Sequence, residues 1–197
     1  MIGRTCAIAA VLAAGAAFTA NAVWAHITPP VVLVSERDAV ASQHAGAKKL
    51  SLREVSLTPD ERKAIQAAYG WRAQDDVHAF YMGRDDAGKL LSASVFMTEA
   101  TMHGIIRVAV GFTPDGRVKG AEVVEVAEEI YAHMKPLMDR GFTKRYAGLG
   151  IGASFEPPAA SASGADALAQ HYDGIVSRMV QRAVILYNVC VTKRGVT

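Results

Sequence analysis

The sequence predicts an α+β fold, an antiparallel sheet built from hairpins with helices flanking it. Three observations predict it. A helix start is written at Thr58-Pro59-Asp60-Glu61, two pairs of strand-like runs between residues 77 and 126 are joined by turn-rich connectors, and an apolar stripe at helical spacing lies near the C-terminus.

The chain has 197 residues, 51% of them hydrophobic and 20% charged, which is the balance of a globular domain rather than of a disordered chain. That length predicts one domain with a sizeable core. The 21 Lys and Arg against 19 Asp and Glu give +2 with His neutral, and the cations are scattered rather than gathered into a tract. Nucleic acid is therefore not the expected partner.

Residues 1–25 read as a secretory signal peptide. Arg4 gives a basic start, residues 7–20 form an apolar run too short to cross a bilayer as a helix, and Val23-Trp24-Ala25 offers a small-x-Ala cleavage site ahead of His26. No later stretch is apolar for long enough to span a membrane, so the mature chain is expected to be periplasmic or secreted and not membrane-spanning. Cys6 leaves with the leader. Cys190 is then alone, and no internal disulfide is expected.

Residues 26–57 are expected to be a lead-in segment that packs on a domain spanning 58–197. At Thr58 the signal sharpens, with an N-cap hydroxyl, Pro59 at the first helical position and Glu61 at the third. Ile65, Ala68 and Tyr69 make one apolar face, and Gly70 stops the helix. Runs 77–83 and 89–97 flank Arg84-Asp85-Asp86-Ala87-Gly88 and predict a hairpin. Runs 104–112 and 117–126 are joined through Thr113-Pro114-Asp115-Gly116, where Pro and Gly suit a type I turn followed by a left-handed residue. Four antiparallel strands are the minimum. Residues 128–139 have helical character, with Pro136 expected to break or kink them. Residues 148–164, rich in Gly, Ala, Ser and Pro, predict a loop. A last helix over about 166–189 carries Leu168, Ile175, Val176, Met179, Ala183, Val184 and Tyr187 as its apolar stripe.

Motifs that name a reaction are scarce. There is no Gly-x-Gly-x-x-Gly after a strand, no P-loop, no Cys-x-x-Cys-His and no nucleophile elbow, and the spacing of Ser, His and Asp assembles no triad. Gly148, Gly150 and Gly152 follow a helix-like stretch without a preceding strand, as turn formers do. Imidazole and thioether groups at His26, Met97, Met102-His103, His133-Met134 and Met138 suit copper or haem. The competing reading makes the methionines core filler and the histidines surface or strand residues.

Five pieces, in order, resemble the FMN-binding domain family, the domain that carries covalent flavin in sodium-pumping quinone reductases and related exported redox proteins. They are Val55-Ser56-Leu57-Thr58-Pro59-Asp60, then Phe80-Tyr81-Met82-Gly83, the run from His103 to Val118 (HGIIRVAVGFTPDGRV), Phe142 to Gly148 (FTKRYAG), and Ser177-Arg178-Met179-Val180-Gln181-Arg182-Ala183-Val184. The resemblance covers residues 52–187. It departs at the family's Ser-Gly-Ala-Thr, whose Thr is joined to the FMN phosphate. One alignment puts His171-Tyr172-Asp173-Gly174 there and another Ser163-Gly164-Ala165-Asp166, and neither supplies the hydroxyl.

What the resemblance implies is an exported redox carrier, rather than an enzyme with catalytic side chains of its own, that exchanges electrons with a redox partner protein, free or membrane-bound. Without the Thr, FMN is expected to be held noncovalently. Its phosphate would be taken by a helix N-terminus with Ser177 and Arg178, and its ring would lie near His103, Gly104 and Glu129. Two alternatives stay open: haem or copper in the same fold, with His103 and His133 as candidate metal ligands, and a cofactor-free interaction module.

Overall fold

The computed structural model describes residues 30–74, 77–158 and 167–196. The expected leader, its boundary at Ala25 and the candidate acceptor stretch 163–166 lie outside the described residues. Among the described residues, no helix is long and apolar enough to cross a membrane.

The protein is α+β, as the periodicities predict. Six antiparallel strands, β1 (Val31–Val32), β2 (Lys49–Ser56), β3 (Val77–Arg84), β4 (Leu90–Thr101), β5 (Gly104–Phe112) and β6 (Val118–Val126), form one sheet in the order β1-β6-β5-β4-β3-β2. From β2 to β6 neighbours in sequence are neighbours in space. The two strands beyond the expected four come from residues 30–57. That stretch supplies both edges of the sheet and a helix, α1 (Glu36–Gln43), between them.

Local chemistry sets the connections. Gly116 adopts φ +82°, and the Thr113 and Arg117 backbones close the β5–β6 turn with Thr113 N–H donating to the Arg117 carbonyl at 2.9 Å. Helix α2 (Pro59–Tyr69) starts with a complete capping box. Glu61 N–H donates to Thr58 Oγ1 at 3.2 Å, and Thr58 N–H donates to Glu61 Oε2 at 2.7 Å. Of its expected apolar face only Ile65 is buried, whereas Ala68 and Tyr69 are exposed.

Helix α4 (Ala167–Tyr187) lies across one face of the sheet and forms the core with it. Phe80, Val95, Val110 and Phe112 meet Val176, Met179, Val180, Ala183, Val184 and Tyr187, all at most 1% exposed. Burying each such side chain contributes about 1.5–3 kcal/mol for those of Val to Phe size. Leu168 is exposed, and the buried stripe starts at Ala169 and Tyr172 instead. A π-helical turn, Asn188–Thr192, extends α4 and buries Cys190, whose thiol is pushed up to about 11 by that burial.

Helix α3 (Glu128–Asp139) passes through Pro136 without ending. Ile130 and Met134 are fully buried ahead of the proline and Met138 packs on the core beyond it, so tertiary contacts hold the final turn, where few backbone bonds are left to lose. A 3-10 turn, Phe142–Tyr146, follows. Helix α1 covers the opposite face of the sheet, chiefly over β4, β5 and β6, and reaches β3 through the Tyr81 hydroxyl, which donates to Glu36.

Candidate functional site

Among the described residues, a cleft of about 960 Å³ opens where the end of α2 with the 70–74 connection, the start of β3, the second half of β4 and the outer face of α4 meet. The helix contributes Arg178, Gln181, Arg182 and Ile185, a spacing of three, four and seven that aligns them on one face. Trp71 and Gln74 come from the connection that leaves the α2 C-cap, and Phe96, Met97, Thr98 and Glu99 come from β4. A smaller cavity of about 210 Å³ adjoins it, sharing Tyr69, Gln181 and Ile185 and adding Ile151, Gly152 and Phe155 from the loop before α4.

Charge in the cleft is uneven. Arg182 donates from Nη1 to Glu99 Oε2 at 2.8 Å, and its guanidinium lies 5.5 Å from the centre of the Trp71 ring. That cation is neutralised and pins the indole. Arg178, one turn earlier, is exposed and has no ion-pair partner among the described residues. The cleft therefore offers two guanidinium groups without an ion pair among the described residues, Arg178 and Arg72, beside an indole and thioether surface, an arrangement that suits an anionic group carried on a flat apolar body.

Of the thioethers considered for copper or haem, Met97 lines this cleft, and of the residues expected to hold the flavin, only Arg178 does. Its neighbour Ser177 faces the other way and is 3% exposed. Arg145 Nη2 donates to Ser177 Oγ at 2.9 Å, and the Tyr146 hydroxyl lies 2.9 Å from the same oxygen. Arg145 also forks onto the Asp173 carboxylate through Nη1 at 3.0 Å and through Nη2. Ser177 is thus a member of a buried polar knot that ties the 3-10 turn to α4. Both Ser177 and Arg178 lie in the third turn of α4 or beyond, counted from Ala167, so the free amides of a helix N-terminus do not face them.

His103 and Glu129 meet each other instead of the cleft. His103 Nδ1 is 3.4 Å from Glu129 Oε2 on the surface, between the β4–β5 turn and the first turn of α3. Gly104 is fixed by backbone approach, for with φ +108° an added Cβ would stand 2.4 Å from the Cβ of Ala127. His133 lies against Tyr172, ring centres 6.3 Å apart. Among the described residues, no group of three or more His, Cys, Asp or Glu is placed to hold a metal ion, and His103 and His133 form no such group. His171-Tyr172-Asp173-Gly174, one candidate for the flavin acceptor position, falls inside α4, with Asp173 engaged by Arg145.

Sequence reasoning missed Trp71, Gln181, Arg182 and Glu99 as cleft residues. The helical spacing of 178, 181, 182 and 185 opposite the apolar stripe was available as a signal. The placement of Trp71 and β4 against that face was not, because it depends on the sheet order. In comparison with known proteins, no family model matches the chain and no curated protein matches it significantly.

Proposed function

We propose that the protein is an exported redox carrier that holds FMN noncovalently in the cleft beside α4 and exchanges electrons with a partner protein. The observation that carries this reading is the Arg178 guanidinium, without an ion pair among the described residues, set beside Trp71 and Met97 in one cleft. A phosphate takes a guanidinium in a bidentate fork, and a fused aromatic ring gains from indole and thioether contact. Gln74 and Gln181 supply amide partners for the heteroatoms at the edge of such a ring. The cleft volume of about 960 Å³ is within the range of small-molecule sites. The bound flavin would supply the electron chemistry, while the chain binds, orients and shields it.

The resemblance of residues 52–187 to the FMN-binding domain family supports the same ligand. The covalent link is left out of the proposal because both candidate acceptor stretches lack the Thr and put an Asp near its place. Export rests on the leader-like residues 1–25.

Titration with FMN and with riboflavin, followed by flavin fluorescence, tests the reading. FMN is expected to bind, and riboflavin, which lacks the phosphate, to bind poorly. Arg178→Ala should weaken FMN by about ten- to hundredfold, the loss of a charge-assisted contact of roughly 1.5–3 kcal/mol, and should leave riboflavin unchanged. Failure to bind FMN at tens of micromolar overturns the reading. With a haem or copper spectrum in the protein isolated from its source, that failure selects a metal-based carrier; with no chromophore it selects a cofactor-free interaction module.

A further inference from the structure

The two edges of the sheet differ. β1 is two residues long, whereas β2 has eight residues, Lys49–Ser56, and among the described residues its outer edge meets no strand, with only the Ser56 carbonyl at its end taken by Arg194 at 2.9 Å. Along β2, Leu50 is 52% exposed and Leu52 54%. Their register opposite Gly83 and Tyr81 puts both leucines on the face that carries α1, one strand beyond Tyr81, whose hydroxyl donates to Glu36 of α1 at 2.5 Å. Such an edge is a template for another strand.

The residues of this face are self-complementary. Alternate positions of the strand give Leu50, Leu52 and Glu54, with Lys48 in the bend just ahead of it, and the same run laid against itself in reverse sets Lys48 opposite Glu54 and Leu50 opposite Leu52. We propose that β2 pairs antiparallel with β2 of a second copy about a two-fold axis at Ser51, joining two six-stranded sheets into one. An axis normal to the sheet keeps like faces together only if paired positions have the same parity, and pairing about Ser51 satisfies this. The opposite face brings Lys49 across from Arg53 of the second copy. Both are exposed, and Lys49 Nζ already donates to the Asp86 carbonyl at 3.1 Å, away from the strand. Added salt therefore screens an unfavourable pair on one face and a favourable pair on the other, while the leucine contacts are left intact.

Sedimentation equilibrium of the purified chain from micromolar to several hundred micromolar tests the pairing. A concentration-dependent dimer is expected, and Leu52→Lys should raise its dissociation constant at least tenfold while thermal unfolding monitored by circular dichroism shows an unchanged fold. Ser51→Cys provides a second readout, because residues facing one another at the axis of an antiparallel pair are within disulfide reach and Cys190 is buried. It should crosslink two chains under mild oxidation faster than Glu54→Cys, which faces Lys48 of the second copy. A monomer throughout the concentration range, a Leu52→Lys variant that dimerises like the parent, or crosslinking at Glu54→Cys as fast as at Ser51→Cys overturns the proposal.

Discussion

Under α4 the sheet presents Phe80, Val95, Val110 and Phe112, while under α1 it presents Ser92, Ser94, Gly111 and Gly120 beside a small apolar patch of Ala109 and Val124. The first face is closed by area. A helix of 21 residues, 13 of them buried, lies on it with its apolar stripe, and Tyr187 stacks on Phe112 with ring centres 4.6 Å apart. The second is closed by proximity and polar pairing. Helix α1 has eight residues, buries Ala39, Val40 and Gln43, and comes so near the strands that a Cβ at Gly111 would stand 1.9 Å from Gln43 Oε1. At its C-cap, His44 bridges two strand hydroxyls, Nδ1 to Ser92 Oγ at 2.8 Å and Nε2 to Ser94 Oγ at 2.9 Å. One sheet is thus held on one side by a term that tolerates imprecision and on the other by contacts that do not.

The largest test of this contrast is on the α4 side. Phe80 is fully buried and meets Tyr187 edge-on at 6.2 Å. Phe80→Ala should destabilise by about 3–5 kcal/mol, transfer and cavity terms together, measured as a shift of the urea midpoint. A loss below about 1 kcal/mol would show that the core closes around the void and that area is not what holds this face.

Legibility in the sequence divides along the same line. The α4 face could be read because area leaves a period: the stripe from Ile175 to Tyr187 and the runs 104–112 and 117–126 carry their burial in their spacing. Helix α1 left no such trace. Eight residues with three buried give almost no periodicity, and what fixes it is a histidine between two serines nearly fifty positions downstream. Strand β2 was hidden for a related reason, since a strand exposed on both faces except at Val55 has no alternation to detect. In the candidate site, Arg178 was found from a family-like run. Its neighbour Ser177 was grouped with it by adjacency, although successive helical residues point about 100° apart, and here one faces the cleft and the other Arg145.

A smaller effect is expected on the α1 side, and it depends on pH. Burial first, and the nearby Lys119 charge second, lower the His44 pKa from 6.5 to about 4. The unfolded chain therefore binds a proton near pH 6.5 that the folded chain refuses until about pH 4. Stability from this group is fully present above pH 6.5 and is lost as the pH falls through the window down to about 4, by a total of roughly 3 kcal/mol. Thermal or urea unfolding between pH 7 and pH 4.5 should show this slope in the parent and a flatter one in His44→Gln, which keeps a hydrogen-bonding side chain without the titration. Equal slopes would mean that α1 detaches before His44 is asked to protonate.

The smallest effect is the most discriminating, because its sign depends on the second residue of a pair. Gly111 has an ordinary strand conformation, so an alanine there is not strained by backbone geometry and gains from reduced freedom of the unfolded chain, by about 0.5–1 kcal/mol. Against this stands the Gln43 carboxamide, which occupies the place of the new methyl and is itself buried. Displacing it leaves a polar group to be resatisfied, at about 1–3 kcal/mol, so Gly111→Ala alone should destabilise by a net of roughly 1 kcal/mol. The bond from Lys119 Nζ to this helix end is made to the Gln43 backbone carbonyl at 2.9 Å, and so survives truncation of the side chain. In a Gln43→Ala background the methyl then has room, and Gly111→Ala should become neutral or stabilising by about 0.5 kcal/mol. The double-mutant cycle reads the coupling directly. A coupling near zero would show that α1 stands farther from the strand than close approach requires, and the two faces of the sheet would then differ in area alone.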